Sequence, residues 1–337
     1  MSGSSVSATG TVGRLVHGAR RTKYWVTEIW RHPANRGGRV AAERRAFTWH
    51  WRTRGAAGDG VQAVVTVDGR TRMMARPHQF SAVWTVYDGV HEWEEIQFCL
   101  RFLRPGDHFV DVGANMGVFS TLVGTRIPDV RITAVEPFPP VREHLLANLA
   151  LNELDVTVVE AAVSDLPGTA TFEVLGRDVL NRLAPAGSGS EDTGTITVPV
   201  TTLDELVGAE PPALVKIDVE GSELLVMQGA RRLLADPVHA PVLLFEHTGH
   251  STHFGITPAE VRQFLGELGY RIYLLDGRLT PWESDAQPPT PNVIACRDLA
   301  AVWQRLGTPG GAPASAPVRV RVDYDMPAVS PRTRAAR

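Results

Sequence analysis

Cysteine, lysine and long apolar runs are what this 337-residue chain has least of. Two cysteines, Cys99 and Cys296, cannot build a disulfide framework or a cysteine-only zinc site, and both lie in apolar runs, as reduced core thiols do. No stretch approaches the ~18 apolar residues of a membrane span. The start, MSGSSVSATG, lacks a basic segment leading into an apolar run. A cytoplasmic setting is therefore expected. Lysine occurs only at Lys23 and Lys216, so arginine carries nearly all the positive charge. That charge is uneven: residues 1–60 hold ten arginines and Lys23 against Glu28, Glu43 and Asp59, while residues 61–307 are strongly acidic in a chain of net charge −3. Such a body does not suit nucleic acid. The 31 glycines and 24 prolines stay below the ~25–30% that marks low-complexity chains.

The remaining text divides along its length. Residues 1–20 and 308–337 are small, polar and expected to be disordered. Residues 21–60 form an arm rich in arginine, with Trp25, Trp30, Trp49 and Trp51, broken at His32-Pro33 and Gly37-Gly38 into two expected helices. Packing of the tryptophans on the main domain is the favoured reading; contact with a membrane surface or a partner is the alternative. Residues 61–86 read as a β-hairpin extension turned at Asp68-Gly69. Residues 87–300 then alternate apolar strand runs and amphipathic helices, the pattern of an α/β domain whose mostly parallel sheet is covered on both faces. Its last two strands are expected to make an antiparallel edge hairpin. The polar insert from Gly176 to Thr195 is expected to be a loop near the site.

In such a sheet, ligands sit beyond the carboxyl ends of the strands, where strand order reverses. The first strand ends in Asp111-Val112-Gly113-Ala114-Asn115-Met116-Gly117, whose glycines permit a tight turn and close backbone approach before a helix. The second ends in Glu136-Pro137, at a spacing that suits a carboxylate accepting both hydroxyls of a ribose. These features indicate an adenosine. The remaining strand ends add Asp218, Glu220 and Glu246 and no basic residue, and the third glycine of the dinucleotide fingerprint is missing. A pyrophosphate would be poorly served; the sulfonium and ammonium of S-adenosylmethionine fit a carboxylate-lined cleft.

The runs FVDVGANMGVFS, AVEP, EAAVSD, VPVTTLDEL, LVKIDVEGSELLVMQGA and FEH resemble the FkbM family of S-adenosylmethionine-dependent methyltransferases, from about Tyr87 to Cys296. The resemblance implies a class I methyltransferase (Rossmann-like) fold, with Gly113, Asn115 and Gly117 lining the methionine portion, Glu136 at the ribose and Val163-Ser164 beside the adenine. It also implies O-methylation of a hydroxyl on a macrolide, sugar or glycolipid. The acceptor is then a small molecule or glycan.

Methylating an alcohol requires in-line attack on the sulfonium methyl and loss of a proton. The ends of the fourth and fifth strands supply Asp218, Glu220, Glu246 and His247 as candidate bases. His247 has the natural pKa for the task, with Glu246 or Asp218 orienting it or the acceptor; a buried carboxylate tuned upward is the alternative. The alternative for Asp218 and Glu220 is that they cap the next helix. His247, His250 and His253 recur every third residue and raise a metal reading, but three histidines suit zinc more than magnesium and the spacing matches no zinc signature. Magnesium is not favoured. An N-P-P-[FY] motif for planar nitrogens is absent. The rivals to O-methylation are N- or C-methylation of a similar acceptor, or a non-catalytic module that binds a membrane or partner through the arm.

Overall fold

The computed structural model describes residues 27–53, 62–77, 79–174, 182–184, 194–307 and 319–324. The expected disorder of residues 1–20, Trp25, and most of the 176–195 insert lie outside the described residues.

Residues 27–31 are helical and a 3-10 turn covers Pro33–Asn35. Helix α1 (Arg39–Thr53) begins beyond the glycine pair. Proline has no amide to donate and glycine weakens a helix interior, so the break falls where those residues stand. Along α1, Ala42, Ala46 and Trp49 are buried, which is one helical face. Trp49 is 1% exposed but Trp51 is 69% and Trp30 43%. Among the described residues of the arm, Trp49 is thus packed while Trp30 and Trp51 are exposed.

Strands β1 (Ala63–Val67) and β2 (Thr71–Ala75) pair antiparallel around a turn where Asp68 and Gly69 both take positive φ. Helices α2 (Phe80–Asp88) and α3 (Trp93–Phe102) lead into the main domain. There β3 (His108–Val112), α4 (Val118–Arg126), β4 (Arg131–Val135), α5 (Pro139–Leu151) and β5 (Thr157–Val159) alternate. A side sheet follows, built from β6 (Ala162–Val163), β7 (Gly168–Val174), β8 (Arg182–Leu183) and β9 (Gly194–Thr201). The alternation resumes with α6 (Leu203–Val207), β10 (Leu214–Ile217), α7 (Glu223–Gln228), α8 (Arg231–Ala235), β11 (Val242–Glu246) and α9 (Pro258–Glu267). It ends with β12 (Arg271–Leu274), β13 (Asn292–Cys296), α10 (Leu299–Leu306) and β14 (Val320–Asp323).

The seven-stranded sheet runs β12-β13-β11-β10-β3-β4-β5. The five strands from β11 to β5 are parallel; β13 is antiparallel to both neighbours. This is the class I methyltransferase order, and it refines the expected edge hairpin: β13 is inserted between β11 and the edge strand β12. The reversal of strand order falls between β3 and β10, which fixes where a ligand cleft can form. β3 and β10 are buried along their whole length, and apolar clusters cover both sheet faces. Cys99 and Cys296 are buried free thiols.

Polar side chains of α5 and its C-cap dock the hairpin. Asn148 Oδ1 accepts from the Met74 amide at 2.8 Å, and Asn152 Oδ1 from the Arg72 amide at 2.8 Å. The Asn148 Nδ2 donates onward to the Met116 carbonyl, 2.8 Å away, and so ties the hairpin to the glycine turn after β3. The expectation of disorder throughout 308–337 is corrected at its centre: β14 pairs antiparallel with β1. Its Val-Arg-Val-Asp alternation matches the two-residue period of a half-buried strand, and β1 otherwise offers an unpaired edge. No helix among the described residues is long and apolar enough to cross a membrane.

Candidate active site

Beyond the carboxyl ends of β3, β4, β10 and β11 lies a cavity of about 350 Å³. Gly113, Asn115, Glu136, Val163, Asp218, Glu220 and Glu246 line it together. Four expected site residues do not: Asp111, Gly117, Ser164 and His247 lie behind its wall.

The glycine turn is shaped by a close approach. Gly113 has φ +76°, and a Cβ there would fall 1.8 Å from the Asp218 carbonyl oxygen. Only glycine lets β3 and β10 come together beneath the cavity. Gly117 takes φ +82° as the N-cap of α4 and packs under Leu145, so it shapes the helix start from below. Glu136 is 6% exposed; one carboxylate oxygen accepts from the Asn115 amide at 3.0 Å and the other from the Phe138 amide at 2.9 Å. Burial pushes its pKa up to about 7 despite those amides. Each oxygen keeps a lone pair for a further donor from the cavity.

Asp111 is fully buried and accepts from the Ser120 amide and hydroxyl at 3.2 and 2.7 Å. Its second oxygen stands 3.8 Å from Lys216 Nζ. Lys216 corrects the expectation that no strand end offers a cation. Although it sits within β10, its ammonium reaches the cavity, 3.1 Å from Asp218 Oδ2 and 4.7 Å above the Phe119 ring. Burial works against that charge, but Asp218, Asp111 and Glu92 outweigh burial and hold the pKa above its ordinary value. Glu92, at the start of α3, also lines the cavity, and burial raises its pKa against the pull of Lys216. Sequence reading missed both residues, because neither a lysine inside a strand nor a glutamate before a helix carries a periodic signal.

At the β10–β11 edge the carboxylates crowd. Glu223 Oε1 accepts from the Val219 and Gly221 amides at 3.3 and 3.0 Å, so Glu223 performs the turn-capping considered for Asp218 and Glu220. Burial and then Asp218 raise Glu220 to about 8, and burial, Asp218 and Glu220 raise Glu246 to about 9. His250 Nδ1 lies 2.9 Å from Glu220 Oε2 and 3.7 Å from Glu246 Oε2. These three could hold a cation; of the three recurring histidines, only His250 joins them.

The expectation that His247 faces the acceptor is not met. His247 is 5% exposed, its ring lies 5.7 Å from that of Phe245, and its amide donates to the Pro291 carbonyl at 2.7 Å. Burial pushes its pKa down to about 4. The strand period explains this: side chains alternate faces, so Glu246 points to the cavity and its successor points away. Val163 lines the cavity and Ser164 does not; the Ser164 hydroxyl meets Asp165 Oδ1 at 3.0 Å.

Comparison with known proteins finds methyltransferases. The model of the methyltransferase FkbM domain matches residues 111–272. A hexuronic acid methyltransferase, AglP of Haloferax volcanii, is 28% identical over 189 residues, 55% of this chain and 72% of that protein. The 31-O-demethyl-FK506 methyltransferase FkbM of Streptomyces tacrolimicus is 31% identical over 157 residues, covering 38% of this chain and 60% of that protein. Among solved structures, the precorrin-6y C5,15-methyltransferase of Geobacter metallireducens is 18% identical with a TM-score of 0.36, over 62% of this chain and 88% of that one. The matched segment runs from the end of β3 to β12 and so contains every carboxylate of the cavity except Glu92. Residues 111–272 of this chain carry the methyltransferase FkbM domain, and the chain is an S-adenosylmethionine-dependent methyltransferase.

Proposed function

We propose that the enzyme methylates a hydroxyl of a sugar or a specialised metabolite. The observation that carries this reading is the single cavity joining the glycine turn and Glu136 to the acidic edge at Asp218, Glu220 and Glu246. The two relatives above support the acceptor class, since one is named for a hexuronic acid and the other for an O-demethyl macrolide precursor.

S-adenosylmethionine supplies an electrophilic methyl on a cationic sulfur. Glu136 accepts from the ribose hydroxyls while the Asn115 and Phe138 amides hold its carboxylate in place. Asp111 anchors the start of α4 and the Lys216 ammonium from beneath rather than touching the ligand. Val163 forms part of the adenine wall, with Ser164 behind it. Asp218, at the acidic edge, and Lys216 beside it set the local charge. Glu246 is the base in this reading. A carboxyl pushed up to about 9 is a strong base once deprotonated, and a cation placed beside it favours the deprotonated form. His247, set behind the wall, acts at most by packing.

The test is methyl transfer from labelled S-adenosylmethionine to hexuronic acid, neutral sugar and macrolide alcohol acceptors, with the methyl located on the product by NMR. A methyl ether is expected. A product methylated on nitrogen or carbon would overturn the reading.

A further inference from the structure

A second cluster of ligating side chains lies where the arm meets the rim of the cavity, apart from the acidic edge. His32 comes from the arm, Asp88 from the end of α2, and His91 from the turn before α3. The ligating atoms of the three lie within 4.8 Å of one another. His32 Nδ1 is 3.9 Å from one oxygen of Asp88, and His91 Nδ1 is 3.8 Å from the other.

The protons are what make this arrangement informative. His32 Nε2 lies 2.7 Å from the His91 carbonyl oxygen, which can only accept, so Nε2 carries the proton. In neutral His32 the bare lone pair of Nδ1 then faces a carboxylate. Asp88 is fully buried, and both its Oδ2 and His32 Nδ1 are shut from solvent without a hydrogen-bond partner. Two facing acceptors in a dry setting repel unless a proton on Nδ1 or a metal ion stands between them. The separations are too long for hydrogen bonds, yet they suit two atoms that each approach a common ion at ~2.0–2.2 Å.

Supports behind the cluster orient it. Asn35, itself 3% exposed, donates through Nδ2 to Asp88 Oδ1 at 2.7 Å and to the Ile29 carbonyl at 3.0 Å. Arg45 donates to the Tyr87 and Val86 carbonyls at 2.8 and 3.2 Å and reaches Asn35 Oδ1 at 3.4 Å. One Asp88 oxygen is thereby held toward Asn35 and the other turned to His91. A ligand carboxylate with a dedicated donor behind it is typical of a built metal site.

We propose that His32, Asp88 and His91 bind one divalent transition-metal ion of the Zn²⁺ class. Two imidazoles and one carboxylate favour zinc, cobalt or nickel over magnesium or calcium, which prefer all-oxygen shells. The ion clips the arm to the catalytic domain. It also fixes the rim of the cavity, because the His91 ring stacks on Trp84 at 4.5 Å and both residues line it.

The test is equilibrium dialysis of the full chain against Zn²⁺, with bound metal counted per chain, alongside the visible absorption of the Co²⁺ form. His250→Ala serves as the control, since it removes the other candidate cluster. His91 is half exposed, so His91→Ala should fold without metal; a metal-free melting curve matching wild type verifies this, and His32→Ala is the second variant. Wild type and His250→Ala should both hold a zinc equivalent that His91→Ala and His32→Ala lose, and zinc should raise the melting temperature only where that equivalent binds. The proposal fails if wild type holds no zinc, or if His91→Ala and His32→Ala hold as much as wild type.

Discussion

The two edges of the cavity are made of the same residue type and built in opposite ways. At the β3–β4 edge, Glu136 accepts from the amides of Asn115 and Phe138, and behind the wall Asp111 accepts from the amide and hydroxyl of Ser120. At the β10–β11 edge, Asp218, Glu220 and Glu246 face one another with Lys216 as the nearby cation and the His250 ring beside Glu220 and Glu246, while the turn's amides go to Glu223. The first edge is fixed before any ligand arrives, as a binding surface should be. The second holds carboxyl groups whose protonation changes when charge is added beside them, which suits proton transfer. In the proposed function, binding and chemistry are divided between two strand pairs that meet at Gly113.

Breaking the meeting point should have the largest effect. Gly113→Val places a branched side chain where even a Cβ lies 1.8 Å from the Asp218 carbonyl oxygen, at φ +76°. We expect no measurable S-adenosylmethionine binding by calorimetry and a loss of stability of at least ~3 kcal/mol. Normal binding would mean that the two edges do not share this contact.

The chemical edge is broken next. Glu246→Gln should lower kcat by ~10²–10⁴-fold while S-adenosylmethionine still binds, because the amide cannot take a proton. His247→Ala, altering a side chain behind the wall, should leave kcat nearly unchanged in folded protein. The reverse pattern would move the chemistry to His247 and end the division proposed here.

At the binding edge, Glu136→Ala removes acceptors for two hydroxyls and also frees the Asn115 amide. Weakening of S-adenosylmethionine binding by ~1.5–3 kcal/mol, about 10–150-fold in Kd, is expected, with kcat at saturation retained. An unchanged Kd would show that Glu136 serves only its own loop.

The β3–β4 edge was far more legible in the sequence than the β10–β11 edge, and the reason is physical. Glycines at Gly113 and Gly117 and a glutamate one strand later are local signals, since a tight turn and a strand end each constrain the residue that stands there. The alternation of apolar strands and helices likewise indicates the parallel sheet. Which way a residue points past the end of a strand is not local: Glu246 and His247 are neighbours in sequence and opposite in space. Lys216 reads as an interior strand residue, yet its long side chain carries the charge to the cavity, a reach that position alone does not convey. Strand β14 pairs across more than 250 residues of chain, so no window of sequence around it indicates a partner.

The smallest effect is expected in stability against pH, where the two edges and the buried histidine differ in sign and window. Glu246, raised to about 9, and Glu220, raised to about 8, keep protons in the fold that the unfolded chain releases above ~4.5. Their contribution is therefore complete at low pH and is lost as pH climbs through those values. Glu136 loses its share earlier, by about 7. His247 runs the other way: its folded value is about 4, against ~6.5 unfolded. It therefore costs stability as pH falls below the unfolded value. The ligand-free protein should melt at progressively lower temperature between about pH 6 and pH 9. Glu246→Gln should flatten that slope and raise the melting temperature at the alkaline end while lowering kcat, because a neutral amide removes the crowded charge. Glu136→Gln should flatten only the part below about pH 7. If Glu246→Gln melts with the wild-type slope, the acidic edge is not crowded in solution, and the contrast between the two edges lies in hydrogen bonding alone.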